Sequence, residues 1–206
     1  MSGSQEAELI YWGVKSALKI GHSNALIMDI GGGSVEFIIA SDTQIAWKKS
    51  YNIGVARLLE KFNFPEPFSQ DNLLIFEQYL DAELKDLFEV VKQYPVCELI
   101  GSSGSFDSLA EMICAELYTE DLFRGKTSFN FQLNDLELIS QKILKSTRKE
   151  RMYMKGLIDM RVDMIVYSTV MINHIIKRIN IEKVRLSTFS LKEGILYNLE
   201  NFKKYF

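Results

Sequence analysis

The sequence predicts an α/β domain in which a mixed sheet of about five strands is flanked by helices. Short apolar runs of strand-like length alternate with longer segments whose apolar residues recur at helical spacing. The first three strand-like runs follow one another directly, as in a meander, whereas the later ones are separated by helical segments. The 206 residues suit one domain and are enough to bury a substantial core. We therefore treat residues 1–206 as a single lobe.

An amphipathic helix is predicted to open the chain over residues 2–18. Ser4 is its predicted N-cap, and Glu6 falls in the first turns, where a carboxylate interacts favourably with the helix dipole. The apolar residues lie on or near one side of the helix: Leu9, Trp12, Val14 and Leu18. From the residues alone, a favourable interaction with the helix dipole is enough to explain why a glutamate stands at position 6.

Residues 25–41, ALIMDIGGGSVEFIIAS, predict a strand, a tight turn and a second strand. Gly31–Gly33 offer bare N–H groups and freedom at positive φ, so the turn can close around an anion such as phosphate. Asp29 before the turn could hold a metal or orient a water, and Ser34 and Glu36 add a hydroxyl and a second carboxylate. The alternative is a glycine-rich hairpin in which Asp29 and Ser34 satisfy backbone groups.

A third strand is predicted over residues 44–51, and a helix follows Gly54 and ends at residue 62. Arg57 on this helix could neutralise phosphate or a site carboxylate, and a structural ion pair is an equal alternative. The two prolines of FPEPF, residues 64–68, then break the chain. The prolines thus separate the meander and its helix from the rest of the domain.

The middle of the chain predicts one long amphipathic helix over residues 69–94 and a short buried strand over residues 96–100. The small-residue turn GSSGSF, residues 101–106, then opens a helix over residues 107–117. A strand, a glycine turn and a helix N-terminus together make a preformed anion site. A plain turn explains this stretch equally well.

The last part predicts an irregular connection over residues 118–131, helices over 134–147 and 161–179, a strand over 183–188 and a helix over 190–199. Basic residues concentrate between the first two of these helices and could guide a polyanion, although a solvated helix face is the commoner explanation. These residues are Lys142, Lys145, Arg148, Lys149, Arg151 and Lys155.

Composition excludes several classes of protein. Hydrophobic residues make up 47% of the chain and charged residues 25%, as in ordinary soluble globular proteins. The net charge of -3 does not favour a nucleic-acid partner, and no apolar run approaches the ~20 residues of a membrane span. Cys97 and Cys114 lie in apolar patterns without metal-type spacing, which predicts buried thiols in a reducing cytoplasm.

The segment DIGGGSVEF, residues 29–37, resembles the second phosphate loop of the exopolyphosphatase and guanosine pentaphosphate phosphohydrolase (Ppx/GppA) family. Further segments at matching separations are similar to family motifs: SGSQEAELIY near the start, GVARL after the third strand, GSSGS, RVD and SLKEG. The resemblance covers nearly the whole chain and implies the actin-like, ribonuclease-H-like fold. Departures from the family pattern are mild and concern Gln5, Glu8, Ser105, Phe106 and Lys192.

The resemblance also implies roles for individual residues. Glu6 is expected to be the catalytic base, with Asp29 as the other catalytic carboxylate, and Asp29 and Glu36 are expected to hold Mg²⁺ or its waters. Arg57 and Arg161 are expected to have either a phosphate-binding or a structural role. The expected phosphate-binding residues come from both turns: Gly31, Gly32, Gly33, Ser34, Gly101, Ser102, Ser103, Gly104 and Ser105.

The activity that the resemblance implies is hydrolysis of the terminal phosphoanhydride bonds of inorganic polyphosphate or pppGpp. Family members also have a first lobe with an Asp-x-Gly-Ser-Asn-Ser phosphate loop, a motif that this sequence lacks. The chain is therefore expected to be the second lobe, to need the N-terminal lobe as a partner and to be inactive alone; a homodimer is one option for its assembly. Two alternatives remain: an actin-fold ATPase or sugar kinase lobe, and a non-catalytic module that binds phosphate or a partner protein.

Overall fold

A computed structural model describes residues 2–119 and 122–203 of the chain. The helices are α1 (Gly3–Ala17), α2 (Val55–Phe62), α3 (Gln70–Glu83), α4 (Lys85–Gln93), α5 (Gly104–Leu117), α6 (Leu133–Leu144), α7 (Arg148–Arg151), α8 (Ile165–Ile179) and α9 (Leu191–Lys203). A 3₁₀ turn spans Asp159–Arg161. The strands are β1 (Ala25–Ile30), β2 (Val35–Ala40), β3 (Ile45–Tyr51), β4 (Glu98–Ser102), β5 (Ser128–Phe131) and β6 (Lys183–Ser187).

The strands form one mixed sheet in the order β3-β2-β1-β4-β6-β5. β1, β2 and β3 pair antiparallel, β1 and β4 pair parallel, β4 and β6 pair parallel, and β5 runs antiparallel at the edge. The predicted fold class is confirmed. β5 adds a sixth strand within the stretch that the sequence predicts as irregular, because this four-residue edge strand buries only Phe131 and leaves little pattern to read.

Helices cover both faces of the sheet. On one face, strand residues such as Met28 and Phe37 pack with α2–α6 and α8 in the larger core. On the other face, Ile27 and Ile38 pack against α1 in a smaller core. Residue 29 alternates with residue 28 along β1, so Asp29 belongs to the face that α1 covers.

α1 and α9 cross at unusually short range on that face. The space for a side chain at Gly13 is filled by the backbone of Ser190, and the space at Gly194 is filled by the backbone of Leu9. Only glycine permits this approach at both positions. The crossing fixes the start of α9 over the sheet, beside β1.

Two local predictions are wrong. Ser2, not Ser4, caps α1, because its hydroxyl accepts from the N–H of Gln5 while the Gln5 side chain accepts from the N–H of Ser2. The helix expected over residues 69–94 is two helices, α3 and α4, separated at Leu84, whose ψ of 14° leaves the helical range.

The remaining general expectations concern membranes and thiols. Among the described helices, none has both the length and the apolar character needed to cross a membrane. Cys114 is buried as predicted, whereas Cys97 is exposed because it lies in the loop just before β4.

Candidate functional site

A row of polar side chains crosses the sheet at one level, near the carboxyl ends of β1, β4 and β6. Neighbours that are directly paired across strands project from the same face. From β3 to β5 the row consists of Ser50, Glu36, Asp29, Ser102, Ser187 and Ser128. The carboxyl edge of parallel strands is where ligands bind in open α/β sheets, so the row lies in a favourable place for a site.

Asp29 is the centre of this row and is only 7% exposed. The hydroxyl of Ser102 donates to Asp29 Oδ2 at 2.6 Å, and the hydroxyl of Ser190, just before α9, donates to the same oxygen. Two elements that are far apart in sequence therefore hold one carboxylate oxygen. Ser190 opens the SLKEG segment, but its sequence gives no sign of a contact with Asp29.

Glu36 lies next to Asp29 and is buried, with 2% of its surface exposed. The Ser50 hydroxyl donates to Glu36 Oε1 at 2.6 Å. Burial raises the pKa of Glu36, hydrogen bonds from Ser50 and Ser34 act against that rise, and the charges of Glu6 and Asp29 add to it. Glu6, in the first turn of α1, is close enough to Glu36 for its charge to contribute to that rise.

The first glycine turn is attached to α2 through its carbonyl groups. Val55 N–H donates to Gly31, Ala56 N–H to Gly32 and Gly54 N–H to Gly33. The bond from Gly31 N–H to the Ser34 carbonyl at 2.9 Å closes the turn. The carbonyls are therefore committed to α2. The N–H groups at positions 32, 33 and 34 have no hydrogen-bond partner among the described residues and remain available to an anion.

Positive φ, expected at the three glycines, is found at none of them. The residue with this conformation is Ser103 in the second turn, at φ 66° and ψ 177°. Non-glycine residues adopt this region only at an energetic penalty, and such strain concentrates at functional sites. The Ser103 hydroxyl donates to the Ile30 carbonyl at 3.0 Å, which joins the second turn to the end of β1.

The two turns and one arginine line a common cavity of about 400 Å³. Gly31 and Gly32 contribute from the first turn, and Ser103–Ser105 from the second turn, where α5 begins. Asp29 and Arg161 also line this cavity. We call it the turn cavity. The start of α5 contributes the positive end of its helix dipole to this cavity, which favours an anion there.

Arg161 is half-buried and lies directly over the second turn. Its guanidinium occupies the space in which a side chain at Gly104 would stand. Within residues 2–119 and 122–203, this guanidinium makes no hydrogen bond or ion pair through its side chain. A half-buried guanidinium of this kind is a strong candidate ligand for a phosphate group.

Behind Arg161 lies a larger cavity of about 780 Å³, which contains two carboxyl groups on α5. Burial raises the pKa of Asp107 to about 6, Arg161 acts against the rise, and Glu111 and Asp29 add to it. Burial likewise raises the pKa of Glu111, again opposed by Arg161. Asp107 Oδ1 is buried and has no hydrogen-bond partner in the described part of the chain.

The remaining expected residues occupy other positions. Gly101 lies within β4, where its missing side chain makes room for the ring of Phe106, and it does not line the turn cavity. Arg57 is exposed, and its Nε donates to the Gly33 carbonyl at 2.9 Å, so it fastens the first turn. Gly54, at the start of α2, packs against the first turn, because the backbone of Gly32 and Gly33 fills the space for a side chain at Gly54.

Three of the six basic residues between positions 142 and 155 form ion pairs. Lys142 pairs with Glu116, and Arg148 pairs with Asp163. Arg151 is fully buried and pairs with Glu66. Half of the basic residues expected to guide a polyanion are therefore structural partners.

The acidic side of the site concentrates negative charge. The charges of Glu6 and Asp29 both raise the pKa of Glu36. A cation would relieve that repulsion. Among the described residues, no group of three or more acidic, histidine or cysteine side chains has metal-binding geometry. Mg²⁺ is compatible with this, because it commonly keeps several waters and takes only one or two carboxylates.

Comparison with known proteins relates the chain to a family. The model of the Ppx/GppA phosphatase family matches residues 1–202. A Haemophilus influenzae protein named as a candidate exopolyphosphatase is 26% identical over 204 residues, which are 98% of this chain and 60% of that protein.

Solved structures show the same fold. An exopolyphosphatase from Cytophaga hutchinsonii is 38% identical, with a TM-score of 0.89 over 96% of this chain and 63% of that chain. The Ppx/GppA enzyme of Aquifex aeolicus is 19% identical, with a TM-score of 0.82 over 96% of this chain and 64% of that chain. The chain thus spans less than two thirds of the length of each of these relatives.

Proposed function

The chain belongs to the Ppx/GppA phosphatase family, and we propose that it is the second lobe of an enzyme that releases phosphate from inorganic polyphosphate, from pppGpp or from both. One observation carries the proposal. Both small-residue turns, the carboxylate of Asp29 and the guanidinium of Arg161 line the same cavity. This is the set of groups that a terminal phosphate and its attacking water require.

Phosphoryl transfer needs positioning and charge neutralisation more than covalent chemistry. In the proposed reaction, the free N–H groups of the first turn, the start of α5 and Arg161 bind the phosphate oxygens. Glu6 orients or deprotonates the attacking water. Asp29 and Glu36 would hold Mg²⁺ or its waters, and the ion would supply neutralisation of the charge on the phosphoanhydride.

The proposal includes a second half of the cleft. The chain spans 60–63% of the length of these relatives, and we assign the remainder of their length to the opposing lobe. In the proposed enzyme, the phosphate chain lies between the two lobes. We place the reaction in the cytoplasm, a compartment in which the unpaired thiols of Cys97 and Cys114 are stable.

Phosphate release from polyphosphate, pppGpp and ATP, measured side by side, tests this function. We expect little or no release by the chain alone, and release from polyphosphate or pppGpp after the first lobe of a relative is added in cis or in trans. Preferred hydrolysis of ATP would instead support an actin-fold ATPase. Binding of phosphate without turnover in the two-lobe form would support a non-catalytic module. Turnover by the isolated chain equal to that of a complete relative would contradict the two-lobe cleft.

A further inference from the structure

We propose that Ser102 and Ser190 are positioning residues for Asp29. Together they hold Oδ2 of the carboxylate, so that Oδ1 is the oxygen presented to the turn cavity. The inference deepens the proposed function and rests on it, because Oδ1 would then be the atom that meets Mg²⁺ or one of its waters.

Both hydroxyls converge on a single oxygen atom. Ser102 donates to Asp29 Oδ2 at 2.6 Å, and Ser190 donates to the same atom. Oδ1 accepts no hydrogen bond from the described residues, and it is not among their fully buried, unpartnered atoms. One oxygen is thus satisfied by protein and the other is not, and Asp29 is a residue that lines the cavity.

The two donors are anchored independently. Ser102 ends β4, is 0% exposed and is paired in parallel register with Asp29. Ser190 precedes α9, and its N–H donates to Glu193 Oε2 at 2.9 Å. The close crossing of α1 and α9 at Gly13 and Gly194 packs the backbone of Ser190 directly against α1.

A carboxylate on a strand can rotate about its last bond. Two charge-assisted hydrogen bonds to one oxygen position oppose that rotation, since a carboxylate turned out of its plane would leave both hydroxyls without their acceptor. Groups that orient a metal-binding side chain in this way typically change metal affinity by 10–100-fold when they are removed. The hydroxyls of Ser102 and Ser190 therefore fix the orientation of the Asp29 carboxylate.

Ser187 offers a matched control. It lies in the same polar row, is 0% exposed like Ser102, and is paired with it across β4 and β6. Its hydroxyl donates to the Phe189 carbonyl at 2.7 Å, accepts from the Phe189 N–H at 3.2 Å and makes no hydrogen bond with Asp29. Ser187→Ala therefore removes a buried hydroxyl of the same row, while both hydrogen bonds to Asp29 Oδ2 keep their donors.

The experiment uses the described chain with Mn²⁺ as a probe for Mg²⁺. Two readouts are taken for each variant: the Asp29 ¹³Cγ resonance without metal, and the Mn²⁺ Kd by electron paramagnetic resonance. We expect Ser190→Ala and Ser102→Ala each to shift the resonance and to weaken Mn²⁺ binding about 10-fold. Ser190→Thr keeps a hydroxyl and should restore both, and Ser187→Ala should change neither.

The outcomes separate the inference from the function on which it rests. If Ser190→Ala and Ser102→Ala behave like Ser187→Ala in both readouts, the positioning role is wrong. If the unmodified chain binds no Mn²⁺, the metal in the proposed function is wrong, and the Asp29 resonance still decides the positioning role. If the Ser102→Ala protein does not fold, the comparison of Ser190→Ala with Ser190→Thr decides whether the positioning role is correct.

Discussion

Gly54 lies against Gly32 so closely that the backbone of Gly32 occupies the space for a side chain at Gly54. Gly54 is buried, and its φ of -61° and ψ of 154° are accessible to any residue. Glycine is therefore required here for contact and not for backbone freedom. This contact brings the N–H groups at the start of α2 within hydrogen-bond distance of the carbonyls of the first turn. The N–H groups of the turn are not used in these bonds.

Gly54→Ala should destabilise the protein and distort the first turn. Overpacking of this kind typically costs about 1–3 kcal/mol, and we expect the free energy of unfolding in urea to fall by that amount. Gly32→Ala is the control, because a Cβ there would have its nearest neighbour, the Ala56 Cβ, at an ordinary 3.7 Å. Equal stability losses in the two variants would contradict the contact argument.

Asp107 should make the stability of the protein depend on pH in an unusual direction. Its pKa rises from 3.8 to about 6 on folding, so the ionised form is penalised in the folded state. The penalty is absent below about pH 4, grows as the pH rises and is complete above pH 6. The groups that face Asp107 are Arg161, Glu111 and Asp29.

Asp107→Asn should remove this penalty. At pH 8 we expect the free energy of unfolding to increase by about 2 kcal/mol, after allowance for partial solvent screening of the carboxyl group. At pH 4 the variant and the unmodified chain should be equally stable to within about 0.5 kcal/mol. Denaturant titrations at both pH values measure the difference, and a gain of equal size at pH 4 would show that ionisation of Asp107 is not its cause.

Arg161 and Arg57 should differ in their effect on phosphate binding. Arg161 lies over the second turn without a side-chain partner in the described residues, whereas Arg57 is exposed and holds the Gly33 carbonyl. Loss of a hydrogen bond to a charged group is worth about 1.5–3 kcal/mol, so Arg161→Gln should weaken inorganic phosphate binding by roughly 10–100-fold. Arg57→Gln should change the Kd by less than about 3-fold.

Calorimetric titration with phosphate measures both constants. Gly104→Ala provides a second test, because its side chain would displace the Arg161 guanidinium. We expect this variant to weaken phosphate binding as Arg161→Gln does. An unchanged Kd in both variants would place the anion elsewhere.

Glu6 and Asp29 should be distinguishable by kinetics in the two-lobe form. A base acts on the water, so Glu6→Gln should lower kcat by roughly 10²–10⁴-fold with little change in KM. A metal-holding group acts through the ion, so Asp29→Asn should raise the Mg²⁺ concentration needed for activity, and excess Mg²⁺ should recover part of the rate. Recovery of the Glu6→Gln enzyme by Mg²⁺ would reverse the two assignments.

The sequence was sufficient for features that are local. The meander around the first turn follows from two apolar runs and three glycines, and the pairing of Asp29 with Glu36 follows from strand periodicity. The ends of β5 and the break at Leu84 were not predictable, because a short edge strand and a single non-helical residue leave almost no periodic pattern. The local sequence pattern thus predicted which helices and strands exist better than it predicted the residues at which they begin and end.

Features that depend on distant residues could not be predicted. Nothing in the neighbourhood of Ser190 indicates a partner 161 residues earlier in the chain. The glycines of the first turn suggested positive φ, but contact with α2 constrains that turn, and the strain is located at Ser103. Similarly, the exposure of Arg57 and the half-burial of Arg161 distinguish two arginines that look alike in the sequence.

The crossing of α1 and α9 has a consequence for biosynthesis. α1 leaves the ribosome well before its partner surface at Gly194, which is made about 180 residues later, as is the hydroxyl of Ser190. At roughly 5–20 residues per second, synthesis of the intervening chain takes on the order of 10–40 s. During that interval Trp12 lacks the ring of Tyr197 that stacks on it. The face of α1 that α9 covers therefore stays open until α9 emerges, and Asp29 acquires its second hydroxyl donor only when that helix docks.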